Sequence, residues 1–159
     1  MMGSAIEKRL SELGIMLPDP PEPVGAYTAV IRTGNLVITS GQLPWIEGAL
    51  AFTGRLGDNL TVDQGYAAAW LCAINALAQL RAAVGNLDRI RQIVRLEGYL
   101  QCTAGFQEHP QVLNGASDLF NEVFGLIGRH TRTAVGIHAM PLNAPVQLVV
   151  WAELASGLA

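Results

Sequence analysis

Apolar residues recur along this chain with two periods, and the switches between them outline its elements. Ile6, Leu10 and Leu13 repeat at helical spacing behind Ser4, a residue type that caps helix N-termini. A short helix is therefore expected over residues 4–13, ended by Gly14. The run Pro18-Asp-Pro-Pro-Glu-Pro23 cannot be helical and reads as an extended linker. Residues 27–32 and 36–40 are β-rich, and Thr33-Gly34-Asn35 between them is a tight turn, which predicts a hairpin. Residues 45–59 carry Gly48, Gly54 and Gly57 and little periodicity, so a loop is expected, with a short strand over 49–53.

The strongest helical signal covers residues 61–84. Thr61-Val-Asp-Gln64 fits a capping box, and Ala67, Leu71, Ile74, Leu77 and Leu80, with Ala78 and Ala82, form one apolar face that stops at Gly85. Residues 90–103 read as a strand through Ile93, Val94, Leu96, Tyr99 and Leu100. Pro110 opens a second helix to about residue 127, with Val112, Leu113, Leu119, Phe120, Val123 and Phe124 on one side, and Gly128 ends it. Residues 131–138 and 146–154 are two further strands, joined by a turn through Met140-Pro141 and Pro145.

The resulting order, ββ(β)αβαββ behind a helical arm, predicts an α+β domain: one sheet with two main helices on one face. Val30, Val37, Val135, Ile137, Leu148 and Val150 provide apolar side chains for both faces of that sheet, and a second subunit is the simplest cover for the free one. The chain divides into an arm and Pro-rich linker, residues 1–22, and a domain, residues 23–159.

Composition narrows the chemistry. The 159 residues carry a formal charge of −3 and no basic run, so the electrostatic footprint that holds nucleic-acid phosphates is missing. No stretch approaches the roughly 20 apolar residues of a membrane span, and no secretion signal is apparent, which together predict a soluble cytoplasmic protein. Cys72 and Cys102 lie far apart and read as reduced and buried, without a cationic neighbour in sequence that would activate them. His109, His130 and His138 make no metal-ligand spacing, so neither a metal nor another cofactor is expected. Trp70 and Trp151 read as core or interface, and Trp45 as a cleft-rim aromatic.

Three motifs taken in order carry more. Gly25-Ala-Tyr27-Thr, then Thr33-Gly-Asn-Leu36, then Ser40-Gly-Gln-Leu-Pro44, resemble the opening of the RidA (YjgF, "L-PSP endoribonuclease") family, and Arg132-Thr-Ala-Val-Gly-Ile-His-Ala-Met-Pro141 resembles its close. The likeness runs from about residue 23 to 154. It implies a chorismate-mutase-like fold and a homotrimer whose sheets line an inner barrel, with clefts between neighbouring subunits. Members of known activity hydrolyse enamines and imines derived from amino acids to 2-oxo acids and ammonia; others bind small metabolites. By the resemblance, Arg132 is the carboxylate-binding arginine, a role that suits a planar fork of donors. Ser40 and Gly41 are the ligand-contacting pair, Tyr27 the cleft tyrosine and Asn114 a supporting polar residue. Where active imine hydrolases place a glutamate on the last strand, this chain has Gln147, which can orient water but is a poor base. Glu153 shares its face but is six residues on, roughly 20 Å away.

Two functions stay open on these grounds. One is imine hydrolysis with the carboxylate held by Arg132 and the backbone near Gly41. The other is binding of a 2-oxo acid or similar carboxylate without turnover, unless Glu97 or Glu108 reaches the cleft. RNA cleavage, attached to the family by name, lacks both a basic surface and a histidine pair.

Overall fold

The computed structural model describes residues 4–157. Its centre is a five-stranded sheet in the order β1-β2-β7-β5-β6. The strands are β1 (Val30–Thr33), β2 (Leu36–Thr39), β5 (Ile90–Gln101), β6 (Thr131–Ile137) and β7 (Val146–Leu154). A separate two-stranded ribbon pairs β3 (Trp45–Ile46) with β4 (Ala49–Leu50). The helices are α1 (Ala5–Glu12), α2 (Val62–Val84) and α3 (His109–Phe124). β5 and β6 run parallel because α3 crosses over between them, whereas β1–β2, β2–β7 and β7–β5 are antiparallel.

One face of the sheet is dry. Val37, Ile93, Leu96, Leu100, Leu148, Val150 and Ala152 are fully buried there beneath α2 and α3. The helices pack closely, since a Cβ at Gly115 of α3 would stand 2.1 Å from the Tyr66 carbonyl oxygen of α2. The predicted caps are present: Thr61 and Gln64 form the capping box of α2, and the Ser4 side chain accepts from Glu7 N–H. The other face, which presents Ile31, Ile38, Val135, Ile137, Val149 and Trp151, has no layer over it among the described residues, and Ile31 and Val135 are exposed.

The buried stripe of α2 is shifted from the expected one. Of the expected face, Leu77, Ala78 and Leu80 are buried, but Ala67, Leu71 and Ile74 are only half-buried and Ala82 is exposed, while Ala68, Ala69, Cys72, Ala73 and Ala76 are fully buried. The small side chains let the helix lie close to the sheet, and the larger Leu71 and Ile74 turn towards the arm. By length and composition α2 could cross a membrane, yet 61% of its most apolar window is buried in the fold, as in a core helix.

Element boundaries moved where local hydrogen bonds compete with pairing. β1 begins at Val30 rather than 27, because Tyr27 N–H donates to the Gly25 carbonyl and the Val24 N–H donates to the Tyr27 hydroxyl, folding this stretch on itself. The expected loop after Pro44 contains the β3–β4 hairpin, whose turn places Glu47 and Gly48 at φ of 49° and 81°. α3 ends at Phe124 and continues as a 3-10 turn, Gly125–Gly128. The arm is docked: Leu10 is buried, and Asp88 accepts from the Ser4 hydroxyl and from the Ala5 and Ile6 N–H groups.

Candidate functional site

The six residues singled out in the sequence fall into two groups that one subunit does not bring together. Arg132 leaves β6, an edge strand, on the helix-covered side of the sheet and meets α3. Ser40, Gly41, Tyr27 and Gln147 gather at the end of β2 and the start of β7, three and two strand positions from β6 respectively. At about 4.8 Å per strand that is roughly 10 to 14 Å across the sheet.

The first group is a braced arginine. Arg132 Nη1 donates to Asn114 Oδ1 at 2.9 Å and to Ser117 Oγ at 3.0 Å, and Nη2 donates to the Pro110 carbonyl at 3.2 Å. Asn114 and Ser117 are three residues apart on α3 and so lie on one face of the helix. Three of the five guanidinium N–H groups are thus occupied by neutral acceptors. The Nε–H and one Nη2–H have no acceptor among the described residues, which leaves donors for an anion. Burial pulls the Arg132 pKa down from its ordinary value, and the nearby Asp118 carboxylate opposes that pull. With no carboxylate bonded directly to it, the cation keeps its charge available.

The second group lines a depression of about 360 Å³. Its floor holds Ser40, Gly41 and Gln147, and its rim Tyr27, Trp45 and Pro141. Ser40 is fixed by its hydroxyl, which donates to the Thr28 carbonyl at 2.5 Å, and by its N–H, which donates to Ala29. Gly41 is glycine for a steric reason: a Cβ there would stand 2.4 Å from Gln147 Cδ. The Gln147 amide therefore lies directly on the Gly41 backbone. Neither that amide nor the Gly41 N–H has a hydrogen-bond partner among the described residues.

Among the described residues, no carboxylate side chain substitutes for the missing glutamate. Glu97 is on the same open face, diagonal to Gln147 across the β5–β7 pair, but is bound to Arg95 at 3.2 Å. Glu153 is paired with Arg91 at 3.8 Å, and Glu108 is exposed at the start of α3. Among the described residues, no three His, Cys, Asp or Glu side chains converge in a way that would hold a metal ion.

Several supporting residues were not legible as such in the sequence. Asn75 and Gln79, polar positions on the buried side of α2, hold the loops around the second group: Asn75 Nδ2 donates to the Leu43 and Trp45 carbonyls, and Gln79 Nε2 to Pro21. Buried Gln101 donates to Gly54 and Asn143 and accepts from Met140 N–H, fixing the turn before β7. A polar residue at a buried helical position is the signal that finds Asn75 and Gln79. Ser117, buried on α3, carries the same mark, whereas His130, behind Arg132, does not.

Two further concavities lie elsewhere. Cys102 has a neighbour that sequence separation hid: its Sγ is 3.5 Å from His109 Nε2, in a depression also lined by Phe106, Gly136 and His138. Burial pushes the Cys102 thiol up, against a smaller opposing effect of Arg55, so the thiol form dominates. A groove of about 720 Å³ between the arm, the β3–β4 hairpin and α2 is lined by Met16, Trp45, Leu71 and Ile74.

Known proteins share this architecture. Protein TCP17 of Trypanosoma cruzi is 40% identical over 150 residues, 94% of each chain. A crystal structure from Shewanella oneidensis MR-1 is 43% identical, with a TM-score of 0.92 over 96% of this chain and 100% of that one. Escherichia coli TdcF, solved with bound serine, has the same fold at 19% identity, with a TM-score of 0.64 over 86% of this chain and 94% of its own. The YjgF/chorismate-mutase-like endoribonuclease family model matches residues 7–154, and the chain belongs to that RidA/YjgF family.

Proposed function

We propose that this protein binds a small carboxylate metabolite, of the 2-oxo or 2-imino acid class, in a cleft between subunits of a homotrimer. The observation that carries the reading is the state of Arg132: three N–H groups hold it against α3, and two remain without acceptors. A guanidinium kept charged and partly unoccupied at a sheet edge is suited to grip a carboxylate. In the trimer, the Ser40–Gly41–Tyr27–Gln147 depression of one subunit faces Arg132 and Asn114 of its neighbour. The uncovered apolar sheet face, with Ile31 and Val135 exposed, supports assembly through that face. The bound serine of TdcF, a small amino acid on the same fold, is in keeping with a ligand of this size.

Hydrolysis is the second reading, favoured by the free Gln147 amide. Water would add across C=N, its oxygen to the carbon and one of its protons to the nitrogen; the carbinolamine hydroxyl then gives its proton to the departing amino group, so that ammonia leaves and the 2-oxo acid remains. Gln147 orients the water without taking its proton, so turnover is slow and rests on positioning.

The test is calorimetric titration with pyruvate, beside imine depletion in which an amino-acid oxidase generates imines and semicarbazide traps the remainder. The wild type should bind pyruvate, and Arg132→Ala should lose at least about 100-fold in affinity, in line with the loss of a bidentate charged pair. Equal binding by both proteins would sink the anchoring role. Sedimentation of the unliganded protein as a monomer would sink the trimer.

A further inference from the structure

The brace behind Arg132 extends to a histidine. Ser117 Oγ, which accepts from Arg132 Nη1 at 3.0 Å, lies 2.9 Å from His130 Nε2. On the other side of the ring, His130 Nδ1 lies 2.6 Å from the Gly128 carbonyl oxygen. A carbonyl only accepts, so Nδ1 must carry a proton, and in the neutral imidazole Nε2 is then a bare acceptor. The Ser117 hydroxyl therefore donates its proton to His130. Its lone pairs are left to face Arg132, and the hydroxyl rotor is set in the orientation that accepts from the guanidinium. Ser117 is 7% exposed, so solvent has little access to reset that rotor.

We propose that His130 and Ser117 form a positioning relay for the carboxylate-gripping arginine: neutral His130 orients the Ser117 hydroxyl, and Ser117 holds Arg132 in register with its ligand. The proposal rests on the carboxylate-anchoring reading above. It has two requirements that the structure meets. First, the histidine must stay neutral. Burial depresses the His130 pKa, the Gly128 carbonyl opposes this, and the Arg132 charge adds to the depression. The groups facing the ring are Ser117 and the Phe120 ring from α3, Gly128 from the 3-10 turn and Arg132 from β6; Asp118 acts on Arg132 from beyond. Second, the other protonation state must disturb the brace. In the imidazolium, Nε2–H donates to Ser117 Oγ, which would then accept from two cations while its own buried hydroxyl loses its acceptor. Acid therefore loosens Arg132 as the pH falls through the lowered His130 value. Neither His130 nor Ser117 touches the ligand; both act through the guanidinium.

The experiment uses the full-length protein and two readouts. Nitrogen-15 NMR of the imidazole reads the His130 tautomer without any ligand, and calorimetry reads pyruvate affinity from neutral to about pH 5, the range in which histidines titrate. The wild type should show the Nδ1–H tautomer, and its affinity should fall about tenfold on acidification, the worth of one charged hydrogen bond. Ser117→Ala should be about tenfold weaker at neutral pH. His130→Gln, whose amide oxygen still accepts from Ser117, should keep neutral-pH affinity and lose the acid-dependent step. An Nε2–H tautomer, an unchanged Kd in Ser117→Ala or an intact acid step in His130→Gln would overturn the relay. Should the wild type bind no pyruvate yet show the Nδ1–H tautomer, with the Arg132 side-chain N–H resonance broadening in Ser117→Ala, the relay stands and the ligand assignment fails.

Discussion

Arg132 meets three acceptors supplied by one helix, whereas the Gln147 amide meets none among the described residues. The two regions sit on the same sheet and belong to the same proposed cleft, yet they are built to different degrees. Around Arg132, Asn114, Ser117 and the Pro110 carbonyl hold the guanidinium so that its remaining donors are pre-aimed. Preorganisation of this kind favours binding, because little side-chain entropy is lost when the anion arrives. At Gln147 the amide is held by contact with Gly41 and not by hydrogen bonds, so it is free to bond ligand or water but supplies neither charge nor basicity. On the proposed reading, the fixed geometry surrounds the group that would hold the carboxylate, and the side that would transfer protons is neutral. Each prediction below shifts the balance between these regions or tests the frame that carries them.

The largest effect is expected from Gln147→Glu. A carboxylate at this position would supply the general base that the neutral amide lacks, a contribution of about 100-fold or more in rate. Imine depletion by the variant should rise by that order, with pyruvate affinity changed much less. A rate equal to the wild type would mean that this amide does not face the reacting carbon, and the hydrolytic reading would lose its support.

A smaller change is expected from Gly41→Ala. The added methyl would meet Gln147 Cδ at 2.4 Å, and because the amide is the end of a flexible side chain it should swing aside without unfolding the protein. Pyruvate affinity should fall by roughly tenfold, about the worth of one hydrogen bond to a charged group, while the thermal midpoint moves by no more than a few degrees. Loss of the folded state would show that Gly41 serves packing ahead of ligand contact.

The fold was legible where periodicity and capping chemistry agree. The capping box at Thr61, the turn at Gly34 and the 3.6-residue pattern of both long helices are local signals, and each of these elements is present, with ends shifted by about three residues in the first strand and the second long helix. What the sequence could not show is pairing at a distance. Local polarity does not reveal that Gly41 is pressed on by residue 147, that Cys102 faces His109, or that His130 closes a chain to Arg132 through Ser117. The α2 stripe was misplaced because apolar spacing ranks Leu71 and Ile74 above alanines, whereas close packing on the sheet selects the small side chains for the deepest positions. The expected site residues were readable only as a motif. Their division between the two sides of the sheet came from strand order, which composition does not encode.

The smallest effect concerns the frame at its periphery. Asp88, in the 3-10 turn Leu87–Arg89 that precedes β5, caps α1 by accepting from Ser4, Ala5 and Ile6. Partial burial pushes its carboxyl upward, but these hydrogen bonds outweigh that and hold its pKa below 3.8. A carboxyl depressed in the folded state adds stability above its unfolded pKa and loses it as the pH falls through the folded value. Docking of α1 should therefore weaken only in strong acid, as the pH falls from the ordinary aspartate range through that depressed value. Asp88→Asn removes the charge and one of the two acceptor oxygens at every pH and should cost about 1 kcal/mol, the typical net worth of one hydrogen bond. Hydrogen exchange of the α1 amides would read this directly: protection of residues 5–12 should fall several-fold in the variant at neutral pH, while α2 and α3 remain unchanged. Pyruvate affinity should not move, since neither half of the cleft touches α1. Equal protection in both proteins would mean that burial of Leu10 alone holds the arm, and that the Asp88 cap orders the helix start without stabilising it.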